Sequence, residues 1–327
     1  MSAVIIPDGI HTVRSKFVGS PHFNVIGMYY LSHKYHDICA VLLEPYKTDK
    51  NKSPHWYIHK DKNYQHKHKT GCVLLPKNLT DIPDDQREVS LRWVETKSKE
   101  GGGYISVPKP IEKFWKNFSA CSNKRFIVLP FGFTCKDSGH ANYLLYDKLE
   151  KSMERFESYG KISGRCTNPP NLDNKIKKLF QNNLGKEFIN RYYEPLSYLP
   201  ERNFQTLQEA EGEKIENTGY CGAWAIFWIE IRILNPDIER DELAKLVLDE
   251  LKKRKRATNI SHTQFIRNYS GVIANASDEI KNLYNQNKNI DSENQIIVND
   301  GYKSRKKSRK KSANKSRKKS RNNVITF

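Results

Sequence analysis

A single cysteine stands at the head of the most hydrophobic stretch of the chain. Residues 219–224 read Gly-Tyr-Cys-Gly-Ala-Trp, and an apolar run continues from there to Asn235-Pro236. A buried cysteine is most often a small apolar filler. A thiolate at a helix N-terminus is instead an activated nucleophile, because the unpaired N–H groups of the first turn stabilise negative charge. The residue type and position leave both interpretations open for Cys221.

The residues around Cys221 are suited to nucleophilic chemistry if a helix begins there. Asn217 or Thr218 is placed to cap such a helix. Gly219 and Gly222 carry no side chain that would block the approach of a substrate backbone. The first-turn N–H groups would then face a developing oxyanion.

A thiol nucleophile needs a base, and His140 is the single histidine between His68 and His262. Taken alone, a histidine at the start of a strand is an ordinary surface residue. Glu157 lies 17 residues later, near the end of the next strand-like run. The start of one hairpin strand is next to the end of the other, so Glu157 is predicted to contact His140 and orient its imidazole.

Glu154 is the second candidate for the orienting acid. Its offset from Glu157 is odd, so it should point to the opposite face of the strand. Glu154 is therefore the fallback for the acid that orients His140. Either glutamate, taken singly, is an ordinary solvated acid.

The elements that must position these residues follow from the pattern of apolar side chains. Residues 126–134 read as a buried strand with a proline inside, and residues 140–157 as a β-hairpin. Helices are predicted at 172–185, 223–234, 237–252 and 262–287. Alternating isoleucines in 223–234 also suit a strand, but its length and all-round apolarity favour a buried helix. Strands followed by helices predict an α+β fold.

The first 125 residues are predicted to be an accessory region of unknown role. Short strand-like pieces at 23–30 and 72–75 alternate there with charged loops, and 101–103 is a flexible Gly-Gly-Gly stretch. A catalytic domain is expected over 126–287. From residue 288 to 327 the composition turns to Asn, Lys, Ser and Arg, which cannot form a core, so a disordered tail is predicted.

Charge is concentrated in that tail. Residues 301–327 carry twelve Lys or Arg and no acid, so +7 of the net charge of +19 remains on the rest of the chain. Such a tail can bind nucleic acid through phosphates in a salt-dependent way, serve as a nuclear-localisation signal, or remain solvated without a partner. The basic residues are Lys303, Arg305, Lys306, Lys307, Arg309, Lys310, Lys311, Lys315, Arg317, Lys318, Lys319 and Arg321.

Other features limit the class of protein. No run of 18 apolar residues exists, so no membrane span or membrane partner is expected. The start, Met-Ser-Ala-Val-Ile-Ile-Pro, is broken too early for a signal peptide, which predicts an intracellular or virion location. The six cysteines form no CxxC pair and are expected to be reduced thiols. The histidine cluster at 55, 59, 66 and 68 reads as a solvated loop, and no metal site is predicted.

The order of His140, an acid 17 residues on, and a Cys-Gly helix start resembles the adenovirus-protease group of cysteine peptidases, which includes the SUMO-specific proteases. The segments 139–147, 154–160 and 219–236 look most like its large-DNA-virus branch. The resemblance covers roughly residues 125–255. It implies an adenain-like core with a central mixed sheet packed by helices.

The resemblance also implies roles for individual residues. Cys221 would be the nucleophile, His140 the general base and Glu157 the orienting acid. The family completes its oxyanion hole with a glutamine, commonly six or seven residues before the cysteine. Here those positions are Lys and Ile, and the nearest glutamines are Gln208 and Gln205, of which Gln205 is favoured.

The function that the resemblance implies is a thiol protease acting on protein substrates. It would cut peptide or isopeptide bonds after small residues such as Gly-Gly, in viral precursor processing or in removing ubiquitin-like modifiers. No cofactor is expected, apart from nucleic acid as a possible activator, since adenoviral relatives use DNA in this way. The alternative is an inactive protease-like virion protein that binds nucleic acid through its tail. The oligomeric state is left open.

Overall fold

The computed structural model describes residues 4–7, 10, 23–40, 56–57, 75–76, 91–96, 102–107, 111–134, 139–162, 166–212 and 220–290. Two compact units divide the chain, Met1–Ala274 and Asn275–Phe327, and the described part of the second is helical. The histidine cluster of residues 55–68, the twelve basic tail residues, and Asn217 and Thr218 lie outside the described residues.

Within the described ranges, seven strands form the main sheet and two short strands form a separate pair. In chain order they are β1 Ile38–Ala40, β2 Trp56–Tyr57, β3 Leu75–Pro76, β4 Leu91–Glu95, β5 Gly103–Ser106, β6 Phe126–Thr134, β7 Gly139–Asp147, β8 Ser152–Phe156 and β9 Arg191–Tyr193. The main sheet runs β5-β4-β6-β7-β8-β9, and β1 also pairs with β6. Strands β2 and β3 pair antiparallel with each other.

Helices pack around this sheet. They are α1 Phe23–Lys34, α2 Ile111–Ala120, α3 Leu172–Leu184, α4 Pro195–Tyr198, α5 Phe204–Glu209, α6 Cys221–Leu234, α7 Arg240–Thr258 and α8 His262–Ile290. Short 3₁₀ turns follow α2 and α3. The predicted α+β class, with a central mixed sheet packed by helices, is confirmed. The four helices predicted downstream of residue 170 are confirmed as α3, α6, α7 and α8.

The hairpin that carries the candidate base is the best paired part of the sheet. Strand β7 is antiparallel to β6 along its whole length and antiparallel to β8 on its other side. Pro130 is tolerated inside β6 because the edge of β6 that faces away from β7 changes its partner strand at this residue. Strand β1 pairs with residues 126–128 and β4 with residues 131–134, so no ladder needs the missing N–H at that point.

Helix α6 is buried on all sides, as its continuous apolar sequence predicts. Every residue from Gly222 to Arg232 is buried, and the helix lies between β7 and α1. The approach of α1 is close, because a Cβ added to Gly27 would lie 1.9 Å from Ile226 Cδ1. A side chain at position 27 would displace Ile226, so glycine allows the two helices to lie this close.

Residues 23–30 were predicted to be strand-like, and that prediction is wrong. They begin α1, in which Met28, Tyr30 and Leu31 are buried. The β-branched and aromatic residues favour a strand locally, but burial against α6 decides the conformation.

The boundary predicted at residue 125 runs through a single sheet. Strands β1 and β4 come from the N-terminal side and both pair with β6 in parallel. Because parallel partners come from distant parts of a chain, no local pattern in the sequence showed this pairing. The role of the N-terminal region stays a prediction, but its described strands belong to the sheet that holds the site.

The expectation that the cysteines are reduced thiols is also corrected. Cys39 in β1 and Cys121 after α2 form a disulfide across 82 residues of sequence, and Cys166 is disulfide-bonded as well. The sequence spacing carried no CxxC signal. The pairing arises because α2 ends beside β1, with Cα atoms 5.7 Å apart.

Candidate active site

Cys221 is the first residue of α6, as the nucleophile hypothesis required. It is the free cysteine of the described residues, and it is partly exposed while Gly222 and the ten residues after it, up to Arg232, are buried. The backbone N–H of Ala141 donates to its Sγ at 3.4 Å. The capping prediction differs in detail, since Tyr220 precedes the helix and its side chain makes no capping bond. The thiol thus lies at an open helix N-terminus.

His140 lies at the start of β7 and joins Cys221 to Glu157. Its Nε2 lies 2.8 Å from Glu157 Oε1 and 3.0 Å from Oε2. The imidazole and the Cys221 thiol are close enough for each to shift the pKa of the other. Since Nε2 is used by the carboxylate, Nδ1 is the nitrogen left for the thiol. Phe133 and Tyr159 lie near the imidazole, with ring centroids at 5.7 and 5.6 Å. The structure brings the three predicted residues together.

Glu157 is fully buried immediately after β8. Tyr143 pairs with Phe156, the last residue of β8, so Glu157, the residue that follows, lies opposite Asn142. Asn142 Nδ2 and the backbone N–H of Tyr159 donate to the carboxylate at 2.9 and 3.1 Å. With His140, these donors hold both carboxylate oxygens in place.

Electrostatics favour the charged forms of all three groups. Burial alone would lower the pKa of His140. The charges of the Glu157 carboxylate and the Cys221 thiolate outweigh this effect and raise the pKa to about 10. Burial alone would raise the pKa of Cys221, but His140 and the Ala141 N–H hold it below its ordinary value. The pKa of Glu157 is lowered by His140 against the effect of burial. Both shifts favour a thiolate beside an imidazolium.

Glu154 has a structural position away from His140. Its carboxylate accepts hydrogen bonds from Trp228 Nε1 at 2.9 Å and from the guanidinium groups of Arg232 and Arg240. It therefore ties β8 to α6 and α7. The odd offset of Glu154 from Glu157 along the strand predicts this opposite orientation.

The two candidate glutamines differ in how their amides are used. Gln205 Oε1 accepts from Ser158 Oγ at 2.7 Å, and its Nε2 donates to Tyr159 Oη at 2.9 Å. Gln208 Oε1 accepts from Trp224 Nε1 at 2.8 Å. Its buried Nε2 has no hydrogen-bond partner among the residues that the structure describes.

Gln208 Nε2 is therefore a donor left unpaired within the described residues, although the sequence favoured Gln205. Its amide is held by Trp224, one helical turn from Cys221 along α6. A buried, unpaired N–H group costs free energy unless a ligand satisfies it. The Gln205 amide, in contrast, is already bonded on both sides.

Four further groups at the site were not predicted from the sequence. Asn142 holds Glu157, Tyr159 and Phe133 flank the imidazole, and the Ala141 N–H contacts the thiol. Asn142 had a signal, because it lies two residues after His140 and so shares its face of β7. Tyr159 and Phe133 had none.

Within the described ranges, no group of three His, Cys, Asp or Glu side chains is arranged to hold a metal ion. None of the described helices is both long enough and apolar enough to cross a membrane. The side chains at the site have a defined set of chemical abilities. They can form a thiolate, donate to an oxyanion and move a proton.

Comparison with known proteins gives one relative by sequence. A protein of Acanthamoeba polyphaga mimivirus, named as an ankyrin repeat protein, is 26% identical over 223 residues. The match covers 65% of this chain and 28% of the mimivirus protein, so this chain spans under a third of that relative's length. No protein-family model matches the chain.

Solved structures from Chlamydia show a distant likeness. ChlaDub1 of Chlamydia trachomatis gives a TM-score of 0.30 at 12% identity, over 49% of this chain and 64% of that one. The effector protein ChlaDUB1 of the same organism gives 0.37 at 9% identity, over 84% and 88%. ChlaDUB of Chlamydia abortus gives 0.24 at 14% identity, over 46% and 66%. Values at this level assign no family to the chain.

Proposed function

We propose that this protein is a cysteine peptidase in which Cys221 is the nucleophile. The observation that carries the proposal is the bonded series of Cys221, His140 and Glu157, with the thiol at the start of a buried helix. A nucleophile, a base bonded to it and a third group orienting the base form the pattern of nucleophilic catalysis.

The reaction would be acyl transfer to the thiol. Cys221 thiolate attacks the carbonyl carbon, and the Gln208 amide together with the Cys221 N–H receives the developing oxyanion. His140 gives its proton to the leaving amine as the C–N bond breaks. Water then attacks the thioester, its proton passes to His140, and the carboxylic acid leaves as the thiolate is restored.

The substrate is proposed to be a protein joined through a small C-terminal residue, as in an isopeptide bond to a ubiquitin-like modifier. The support is the resemblance of residues 139–160 and 219–236 to the adenovirus-protease group. The mimivirus relative is in accord with a viral setting, in which precursor processing is the other proposed role. Nucleic acid is proposed as an activator on the resemblance alone.

An electrophilic ubiquitin probe tests the proposal directly. Ubiquitin carrying a C-terminal propargylamide should form a covalent adduct with the full chain, and none with Cys221→Ala. Parallel probes built on SUMO, and peptides ending in Gly-Gly, would separate the substrate classes. Equal labelling of wild type and Cys221→Ala would show that the thiol is not the reacting group.

The basic tail supports a second, separate role in nucleic-acid binding. Twelve positive charges without an aromatic residue among them suit phosphate contacts but not base stacking. Deleting residues 301–327 should weaken binding to a random duplex at low salt and flatten its salt dependence. If nucleic-acid binding by the tail were the only function, the protein would be an inactive virion protein. The arrangement of Cys221, His140 and Glu157 would then have no catalytic role.

A further inference from the structure

The connection between Gln208 and Cys221 is long, and both of its ends are held by one helix. Thirteen positions separate the two residues in sequence. The upstream end reaches α8 through Glu211, and the downstream end reaches it through Tyr220. An oxyanion hole made from two separate elements needs such fixed points, because a donor displaced by an ångström loses most of its effect.

Glu211 is the upstream fixed point. Its Oε1 accepts from Lys255 Nζ at 2.6 Å, and from His262 Nδ1 and N at 2.7 and 3.1 Å. Its Oε2 accepts from the backbone N–H of Thr263 at 3.2 Å. One carboxylate, with only 9% of its side chain exposed, thus joins the segment after α5 to the end of α7 and the start of α8.

The charge of Glu211 is firmly held. Burial alone would raise its pKa, but the Lys255 ammonium and the donors of His262 and Thr263 lower it to about 2. The carboxylate is therefore ionised throughout the pH range in which a cysteine peptidase works. It caps the start of α8 and forms a partly buried ion pair with Lys255 at the same time.

The downstream fixed point lies on the same helix. Arg267 Nε donates to Tyr220 Oη at 3.2 Å, directly before the nucleophile. Phe265 stacks on Trp224 with ring centroids 6.0 Å apart. Trp224 in turn donates to Gln208, so the first turns of α8 contact both the cysteine-bearing helix and the partner of the glutamine.

We propose that Glu211 is a positioning residue that fixes the Gln208 amide relative to Cys221 by anchoring the end of α5 to α7 and α8. This inference rests on the proposed peptidase function. It explains how the glutamine acts from a position more distant in sequence than the resemblance predicts. Glu211 itself touches neither substrate nor thiol, and it acts through Gln208.

Glu211→Gln is the informative variant. Its carbonyl oxygen can still accept from the backbone of α8, but its neutral amide cannot pair with Lys255 and His262 together. We expect kcat for a fluorogenic ubiquitin C-terminal amide to fall about tenfold or more, as part of the roughly 10²–10³ that an oxyanion donor contributes. Alkylation of Cys221 by iodoacetamide needs no oxyanion hole, so its rate and pH profile should be unchanged.

A second measurement reads the position of Gln208 without any turnover. The indole N–H of Trp224 donates to Gln208, so its resonance in ¹⁵N-tryptophan-labelled protein reports that bond. Trp224→Phe assigns the signal. Glu211→Gln should shift or broaden it, whereas Asp249→Asn should not, since Asp249 is an exposed acid paired with Lys252 on α7. Melting temperatures of all variants show which of them are folded.

The outcomes separate the inference from the function on which it rests. If iodoacetamide reacts with Cys221 as with an ordinary thiol and no probe is cleaved, the peptidase proposal fails, and the Trp224 signal still decides whether Glu211 positions Gln208. If Glu211→Gln is folded and leaves both kcat and the Trp224 resonance as in wild type, Glu211 is only a helix cap. A loss of Cys221 alkylation in Glu211→Gln would also overturn the inference, because the effect would then lie on the thiol.

Discussion

At the scale of single residues, the pKa of the Cys221 thiol depends on the nearby imidazole of His140. The imidazole holds the pKa of the thiol below its ordinary value, and Glu157 holds the imidazole in its charged form. Each of these effects runs through a contact between residues far apart in sequence. The pKa of the Cys221 thiol should therefore rise, and its reactivity fall, when either contact is removed.

Replacing His140 by alanine should raise the pKa of the Cys221 thiol. The reacting species is the thiolate, so the iodoacetamide rate falls as pH drops through the thiol pKa. In wild type this midpoint lies below the ordinary value of 9.0. In His140→Ala the midpoint should move upward, and the rate at pH 7 should fall about tenfold or more, since one pKa unit is a factor of ten in thiolate.

The exposed His36 provides the matched control for that experiment. His36→Ala removes an imidazole without touching the site and should keep the wild-type profile. An unchanged midpoint in His140→Ala would contradict the proposed thiolate–imidazolium pair.

The two glutamines give a second residue-scale prediction. Gln208→Ala should lower kcat on the ubiquitin amide by about 10²–10³ with little change in KM, because an oxyanion donor acts in the transition state. Gln205→Ala should have the smaller effect, since the Gln205 amide is bonded to Ser158 and Tyr159. The opposite ranking would show that Gln205 turns towards the oxyanion when substrate binds.

At the scale of elements, a buried carboxylate joins three helices behind the site. Glu230 on α6 accepts hydrogen bonds from Tyr30 of α1 at 2.9 Å, from Tyr35 at 2.6 Å and from Tyr269 of α8 at 2.7 Å. Lys34 pairs with it at 2.7 Å. The helix that begins at Cys221 is thus fixed at its middle as well as at its start.

Tyr269→Phe should destabilise the fold by about 1–3 kcal/mol, because it leaves a buried carboxylate with one donor fewer. Urea unfolding measures this free energy. Tyr104→Phe is the control, since Tyr104 is 54% exposed. Equal unfolding free energies for the two variants would mean that the remaining donors fully compensate.

At the scale of the whole molecule, the sheet depends on strands from both sides of residue 125. Strand β6 receives β1 and β4 along one edge, and the Cys39–Cys121 disulfide holds β1 near α2. A protein that began at residue 126 would leave that edge unpaired and its apolar face uncovered. We therefore expect the fold to need the described strands of the N-terminal region.

A chain of residues 126–290 should accordingly show no cooperative thermal transition, or should aggregate on expression. A chain of residues 1–290 retains all the described strands and should melt cooperatively. Circular dichroism at 222 nm measures both. A cooperative transition at the same temperature in the two chains would show that the catalytic elements fold without their upstream partners.

Local patterns in the sequence determined much of the site. The apolar run after Cys221 predicted a buried helix, and two strand-like runs predicted the hairpin that places His140 beside Glu157. These features follow from periodicity within an element, or from neighbours across one turn. For the same reason the sequence predicted that Glu154 would face away from His140.

Tertiary structure alone decided the remaining features. These were the helical state of residues 23–30, the pairing of β1 and β4 with β6, the disulfide and, among the described residues, the unpaired Nε2 of Gln208. Each depends on which distant segments pack together and on which polar groups they leave unpaired. No pattern within one element contains that information, because burial against a partner outweighs local propensity.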